Sequence, residues 1–450
     1  MRKQIRMESL SDILTTEKRL ELSDSLKIVI INKSDSTGGA AVVSRRLMEA
    51  LRKEGADARM LVAENLTDSP YIEPAAPPLQ IKVKFLSERL KIFLANGFNR
   101  NTLFKIDTAA EGLPLWRNPL VVEADAILLN WVNQGMLSLK GINKILKLGK
   151  PVIWTMHDMW CMTGICHHAG HCNHYFNSCG NCPLLGKRGA SHDLSNKILN
   201  RKKALFNNEI FKLNPITFVA VSSWLAGKSK ESNLLGNLRV LTIPNAFNSV
   251  DAEKRSAISY NSKIRILFGA ARLDDPIKGI DTLKEMSEEI RRNYPKLASR
   301  LEIAFFGAVK YPESLDGFSL PIINMGILRG EENVRKAYKD SQILVSASSY
   351  ETLPGTLVEA QAYGVIPVAF NRGGQSDIVE HLSTGYLAEY NEDISKRARN
   401  LAEGVAWASE ILYDKNNYED IVKRMQDSTI RKFSYENIAG KYLELIKEKM

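Results

Sequence analysis

The chain has 450 residues, 44% of them hydrophobic and 25% charged, with a formal net charge of +10 and a pI near 9.1. This is the composition of a globular protein of two or three domains with ample core. No apolar run approaches the roughly 18–20 residues of a membrane span, which excludes a spanning helix. The basic balance favours an anionic partner, whether a nucleotide, an anionic lipid surface or nucleic acid, without choosing among them.

Residues 1–25 are charged throughout and have no apolar stretch of the signal-peptide kind. They read as a short helix or a mobile tail, and the protein is expected in the cytoplasm. The first strand is expected over 26–31, then a loop over 32–39 and an amphipathic helix over 40–54 capped by Gly55. A strand over 58–63 completes a βαβ unit, and the four prolines of 67–78 mark an irregular loop. Residues 81–100 set Lys82, Lys84, Arg89, Lys91 and Arg100 among Phe85, Leu90 and Phe93 at helical spacing. That stretch reads either as an ordinary amphipathic helix on the core or as a surface for anionic lipid. The basic run 187–203 extends the same face, and its aromatics are too few for a nucleic-acid platform.

Further strands are expected over 126–130, 152–155, 217–221 and 239–243, closing a first domain over 26–246. A linker is expected over 247–262. A second series follows over 263–430, with strands at 264–269, 301–306, 322–325, 343–346, 366–370 and 385–388. Helices are expected over 396–412 and 435–450, and 431–450 is assigned to a C-terminal helix. Two alternating β/α blocks predict an α/β protein of two Rossmann-like, doubly wound parallel-sheet domains facing a cleft.

Residues 346–374 read SASSYETLPGTLVEAQAYGVIPVAFNRGG and form a strand–loop–helix–strand unit. Its loop lies where parallel sheets bind ligands, at the carboxyl end of a strand. Leu353, Pro354, Gly355 and Thr356 open the helix, whose N-terminus offers free N–H groups to an anion. Glu351 and Glu359 bracket that opening, and carboxylates accept hydrogen bonds from hydroxyls, so a phosphate flanked by sugars fits. Gly38 and Gly39 form a tight turn after the first strand, and His157 sits at the end of another.

All five cysteines lie between 161 and 182, in a Cys-rich loop over 160–185. Cys166, Cys172, Cys179 and Cys182 are interleaved with histidines, and Cys179-x2-Cys182 is a chelating pair. A structural zinc is the first reading, with disulfides or free thiols as alternatives. Cys161 is expected to be a packing residue.

Glu351, Glu359, Ala360, Gly364, Pro367 and Gly373-Gly374 together resemble the signature of family 4 glycosyltransferases. Residues 270–281 resemble that family's G-R-L-x-x-x-K-G-x-D segment, with Ala271 where Gly is usual. The segment from His157 to Leu185 resembles a subgroup acting in bacterial polysaccharide assembly. The resemblance implies a GT-B fold and retaining transfer from a nucleotide sugar to a glycan or polyprenyl-linked glycan, at the inner face of the cell membrane. It assigns Arg272 and Lys278 to the diphosphate, Glu359 to the ribose, and Glu351 and His157 to the donor sugar. Leu353–Thr356 and the Gly38-Gly39 turn would approach the phosphate and sugar. No Asp-x-Asp motif occurs, so no catalytic metal or other cofactor is expected. The chain departs from the family pattern at Leu353 and Asp377, leaving base and sugar open. The alternatives are a nucleotide-sugar epimerase of the same fold, or a non-catalytic basic protein that binds membrane or nucleic acid.

Overall fold

The computed structural model describes residues 25–248 and 255–450. Most of the N-terminal extension and the middle of the 247–262 linker lie outside the described residues. Seven parallel strands form the first sheet: β1 Lys27–Ser34, β2 Asp57–Glu64, β3 Ile72–Pro74, β4 Ala126–Leu129, β5 Val152–Met156, β6 Thr217–Ala220 and β7 Val240–Thr242. Their order is β3-β2-β1-β4-β5-β6-β7. Six parallel strands form the second: β8 Ile264–Arg272, β9 Leu301–Ala308, β10 Ile322–Asn324, β11 Ile343–Ser346, β12 Ile366–Phe370 and β13 Tyr386–Ala388, in the order β10-β9-β8-β11-β12-β13. This is the expected pair of doubly wound parallel-sheet domains.

The central strands are buried on both faces, so they read as continuous apolar runs such as Ile28–Ile31 and the AILL of β4. Ile30 lies opposite Met60 on one side and Leu128 on the other. Two elements depart from the expectation. β3 falls inside the stretch read as an irregular loop; it is short, lies at the sheet edge and ends on Pro74, where a missing N–H costs no ladder bond. The helix Lys415–Phe433 was not anticipated between its neighbours Ile394–Ile411 and Tyr435–Lys449. Its buried Tyr418, Ile421, Val422, Met425 and Phe433 are spread among many charges.

One apolar layer, with Val29, Ile31, Leu129, Trp154 and Phe218, continues across the domain boundary to Leu267, Ala304 and Leu344. The outer face of the second sheet packs on the helices Ile280–Asn293 and Ile394–Ile411. The outer face of the first sheet is covered by α1, Gly39–Lys53, and by Tyr435–Lys449, which crosses back from the second domain. Tyr442 shares a 2.8 Å hydrogen bond with Thr155 of β5, and the Tyr435 hydroxyl donates to Glu49 of α1 at 2.8 Å. At the crossing point the Phe247 N–H donates to the Phe433 carbonyl at 2.7 Å.

Candidate functional site

Both sheets turn the carboxyl ends of their strands toward one cleft of about 650 Å³. The strand order reverses between β1 and β4 and again between β8 and β11, so each half presents its topological switch point there. The loop after β1 contributes Gly38 and Gly39, and β4 leads to Trp131. The loop after β5 contributes His157 and Asp158, and the one after β8 contributes Lys278. The loop after β11 contributes Glu351 and Leu353 to Thr356, and the helix α2, Gly355–Ala362, adds Glu359.

Two helix N-termini open into this space. Gly38 precedes α1 with φ 88°, a left-handed conformation that favours glycine, while a Cβ there would meet no atom within 4 Å. The turn thus leaves room above the N–H groups of α1. Opposite, Pro354 caps α2, and its fixed φ suits a helix start. Positive partial charge from both helices faces the same volume.

Glu351 is braced from behind. The Gly374 N–H donates to its carbonyl at 2.8 Å, and a Cβ on Gly373 would come within 2.5 Å of that oxygen. Lys278 Nζ donates to Glu351 Oε1 at 2.5 Å, and Ser348 Oγ donates to the same oxygen at 2.9 Å. The Ser349 N–H donates to the Ile277 carbonyl at 2.9 Å, tying this loop to the one that carries Lys278.

Glu359 is held across the cleft. Arg46 of α1 donates to its Oε1 at 2.9 Å, and the Tyr338 hydroxyl donates to Oε2 at 2.8 Å. Burial opposes the Arg46 charge, but Glu359 outweighs it and raises the pKa of the guanidinium. Burial, then Glu359, pushes the Tyr338 phenol well above its ordinary range. Thr352 Oγ1 donates to the His157 carbonyl at 3.1 Å, a second link between the domains.

His157 Nε2 lies 2.7 Å from Asn130 Oδ1, a pairing that places the ring proton on Nε2. Burial pushes its pKa down to about 4, so the ring is neutral at pH 7. Asp158 accepts from Trp131 Nε1 and His167 Nδ1, both at 2.7 Å, and from the Trp160 N–H at 2.8 Å. Burial pushes this carboxyl up, but its bond and charge interaction with His167 pull it down to about 2.

Arg272 stands apart from the other expected site residues. It does not line the cleft; its side chain is 47% exposed, and it pairs with Asp274 and Asp275, each at 3.5 Å. The register of β8 against β9 shifts between Gly269 and Arg272, just where this side chain emerges. Sequence reasoning missed Arg46, Asn130, Trp131, Asp158, His168 and Tyr338. Asp158 had a signal in its position beside His157. His168 was read with the cysteines, yet it lines the cleft, its ring 5.7 Å from that of Tyr350.

Cys166, Cys172, Cys179 and Cys182 line one small cavity of about 20 Å³ together with His174. Burial pushes the Cys166 thiol up to about 12 and Cys179 to about 11. Among the described residues no three His, Cys, Asp or Glu side chains are grouped to hold a metal ion. The four thiols therefore share a cavity without standing as a ligand set, and a metal would have to draw them inward as thiolates. Cys161 is buried against the core, as expected. Beneath the loop, the buried Lys202 amine donates to the carbonyls of Trp160 and Thr163 at 2.5 and 3.0 Å.

Residues 251–426 match the family model described as Glycosyl transferases group 1. The chain is 20% identical over 360 residues to WcaC of Escherichia coli (strain K12), named as a colanic acid biosynthesis glycosyl transferase; the match spans 79% of this chain and 85% of that one. A glycosyltransferase from Rickettsia africae ESF-5 superposes with a TM-score of 0.58 at 15% identity, over 95% of this chain and 99% of that one. HepE of Anabaena, solved with UDP and glucose, superposes with a TM-score of 0.55 at 14% identity, over 94% of this chain and all of that one. With a group 1 match in its C-terminal half and a GT-B fold over its described residues, this chain is a glycosyltransferase.

Proposed function

We propose that this glycosyltransferase moves a sugar from a nucleoside diphosphate to a hydroxyl of a glycan or lipid-linked glycan, with retention and without a catalytic metal, in the assembly of a bacterial surface polysaccharide. The observation that carries the reading is the convergence of Lys278, Glu351, Glu359, His157 and two helix N-termini on one cleft. Polysaccharide assembly is supported by the likeness to WcaC. A nucleotide-sugar donor is supported by HepE, which was solved with UDP and with UDP-glucose.

In this reading Glu359 takes the ribose hydroxyls and Glu351 the donor sugar, with His157 at the sugar's other side. Lys278 and the N–H groups of α2 face the diphosphate. As the glycosidic bond breaks, the electron pair goes to the diphosphate oxygen. Charge grows there, and cations fixed in place stabilise the transition state more than the ground state. The acceptor oxygen bonds to the anomeric carbon on the same face, and its proton passes to the departing phosphate. Arg272 exchanges Asp274 and Asp275 for the diphosphate, a move open to a half-exposed guanidinium. A structural zinc on Cys166, Cys172, Cys179 and Cys182 belongs to the same proposal, supported by their shared cavity.

The test is calorimetry with UDP, GDP and ADP, followed by turnover with the matching sugar nucleotide. One nucleoside diphosphate is expected to bind, and Lys278→Ala is expected to cut turnover by about 10²-fold with little change in melting temperature. Absence of binding by all three, or wild-type turnover in the variant, would overturn the assignment.

A further inference from the structure

The helix Pro78–Ala95 is turned inside out relative to an ordinary surface helix. Among the side chains it buries are charged ones, Glu88 at 0% exposure and Arg89 at 6%. Glu88 accepts from the N–H and hydroxyl of Thr108 and from the Glu111 N–H, at 2.5 to 3.0 Å. Arg89 donates to Asp107 at 2.5 Å and to the Leu103 carbonyl at 2.6 Å. The outward face carries Leu79, Val83, Leu86, Leu90 and Leu94, between 51% and 74% exposed. Their steps of four, three, four and four residues form a single stripe, about 22 Å long at a rise of about 1.5 Å per residue. Phe98 and Phe104, in the segment that follows the helix, are also exposed, at 59% and 58%. Of the residues that the lipid reading of 81–100 turned outward, Phe85 and Phe93 are half-buried and Arg89 is buried, because it finds Asp107 beneath the helix. Lys33 Nζ lies 5.2 Å from the Phe85 ring, and Phe93 meets Phe98 edge-on at 5.3 Å.

The charges around the stripe select its partner. Lys82 and Lys91 are exposed on opposite flanks of the apolar row, and Arg100 and Lys105 are exposed beyond its end. Arg188 from the Cys-rich side reaches Gly97. The carboxylates of the segment are withdrawn: Glu88 and Asp107 are buried, and Glu111 is paired by Lys84 and Lys91. A convex apolar row with cations on both flanks and no exposed carboxylate among 78–107 matches a plane of anions. Among the described residues no helix is long and apolar enough to cross a membrane, so the contact lies in the plane.

We propose that Pro78–Ala95, with Phe98 and Phe104, rests on an anionic bilayer. The leucine row sits in the headgroup boundary, with Lys82, Lys91, Arg100 and Lys105 at the level of the lipid phosphates. The docking face is laced to the site. The Asp107 N–H donates to the Ile165 carbonyl at 2.8 Å, and Ile106 bridges to Cys166, two residues before His168 of the cleft. A docked molecule thereby holds its cleft near an acceptor carried in lipid, a benefit that rests on the function proposed above; the docking itself does not.

Vesicle co-sedimentation tests this without turnover. Full-length protein is expected to sediment with vesicles containing phosphatidylglycerol and far less with pure phosphatidylcholine. Leu86→Ser with Leu90→Ser and Leu94→Ser is expected to weaken binding by at least about tenfold, with melting temperature and nucleotide binding unchanged. Lys82→Glu with Arg100→Glu is expected to remove the preference for the anionic lipid. Equal sedimentation of wild type and the leucine variant would overturn the proposal. So would a wild type that ignores both vesicles but is a dimer in solution that the leucine variant splits, which would assign the row to a second copy.

Discussion

Glu359 is satisfied before any ligand arrives, by Arg46 at 2.9 Å and Tyr338 at 2.8 Å. Each carboxylate oxygen keeps a second lone pair, so a ribose hydroxyl can add a hydrogen bond beside Arg46 and Tyr338 without displacing them. Glu359→Gln is therefore expected to weaken bare nucleoside diphosphate by roughly tenfold, the scale of one charge-assisted hydrogen bond. Glu351→Gln should instead weaken the sugar nucleotide more than the bare nucleotide. Calorimetry showing equal losses for both ligands in both variants would contradict this division. His157 gives a prediction in pH. Its folded pKa of about 4 lies below the ordinary 6.5, so between these values the unfolded chain binds the extra proton. The stability that comes from keeping the ring neutral is fully present above about 6.5 and is lost as the pH falls through about 4. Thermal melts across that window should fall more steeply for wild type than for His157→Gln; parallel curves would show that burial does not hold the ring neutral.

The Cys-rich loop is the element whose order most needs explanation. It carries Cys179, Gly180 and Asn181 in succession at positive φ, of 52°, 99° and 46°, a backbone that Gly and Asn tolerate but Cys adopts reluctantly. A metal drawing the four thiols into their shared cavity would stabilise that turn. About one zinc per chain is expected in protein purified without chelators, and Cys179→Ser with Cys182→Ser should lose it and render the loop protease-sensitive. Zinc near zero, with the thiols titrating freely in folded protein, would rule it out. Legibility at this scale followed locality. The carboxylates of the 346–374 unit could be read because Pro354, Gly355 and Gly373-Gly374 fix their loop within a few residues. β1, β4 and β11 announced themselves as apolar runs. Arg46 could not be read, since it sits 313 residues from Glu359 on a helix that looks only amphipathic. Of the outward leucine row only Leu90 was read on the lipid face, and Arg89 was read there with it because charges on a helix ordinarily face water, whereas here Glu88 and Arg89 find partners beneath the row.

At the scale of the molecule, the cleft is spanned by several independent contacts. Besides Arg46–Glu359 and Thr352–His157, the Ser223 N–H donates to Asp377 at 2.5 Å. Aspartate at 377, where the family resemblance led one to expect Glu, thus serves a contact between the domains. The helix Tyr435–Lys449 binds the halves in another way. Its Tyr435, Ile438, Tyr442 and Ile446 lie in one cluster with Leu47, Leu51, Ile153 and Val219 of the first domain. A chain truncated after Phe433 is expected to bare that face and to aggregate or bind a hydrophobic dye. A soluble truncated monomer with an unchanged melting temperature would contradict this. The same helix imposes an order on biosynthesis. The ribosome delivers the first sheet hundreds of residues before the segment that seals it, so the nascent N-terminal half must wait with one oily flank uncovered. Chaperone dependence during translation should therefore centre on that flank, and should end only when residues 435–446 emerge.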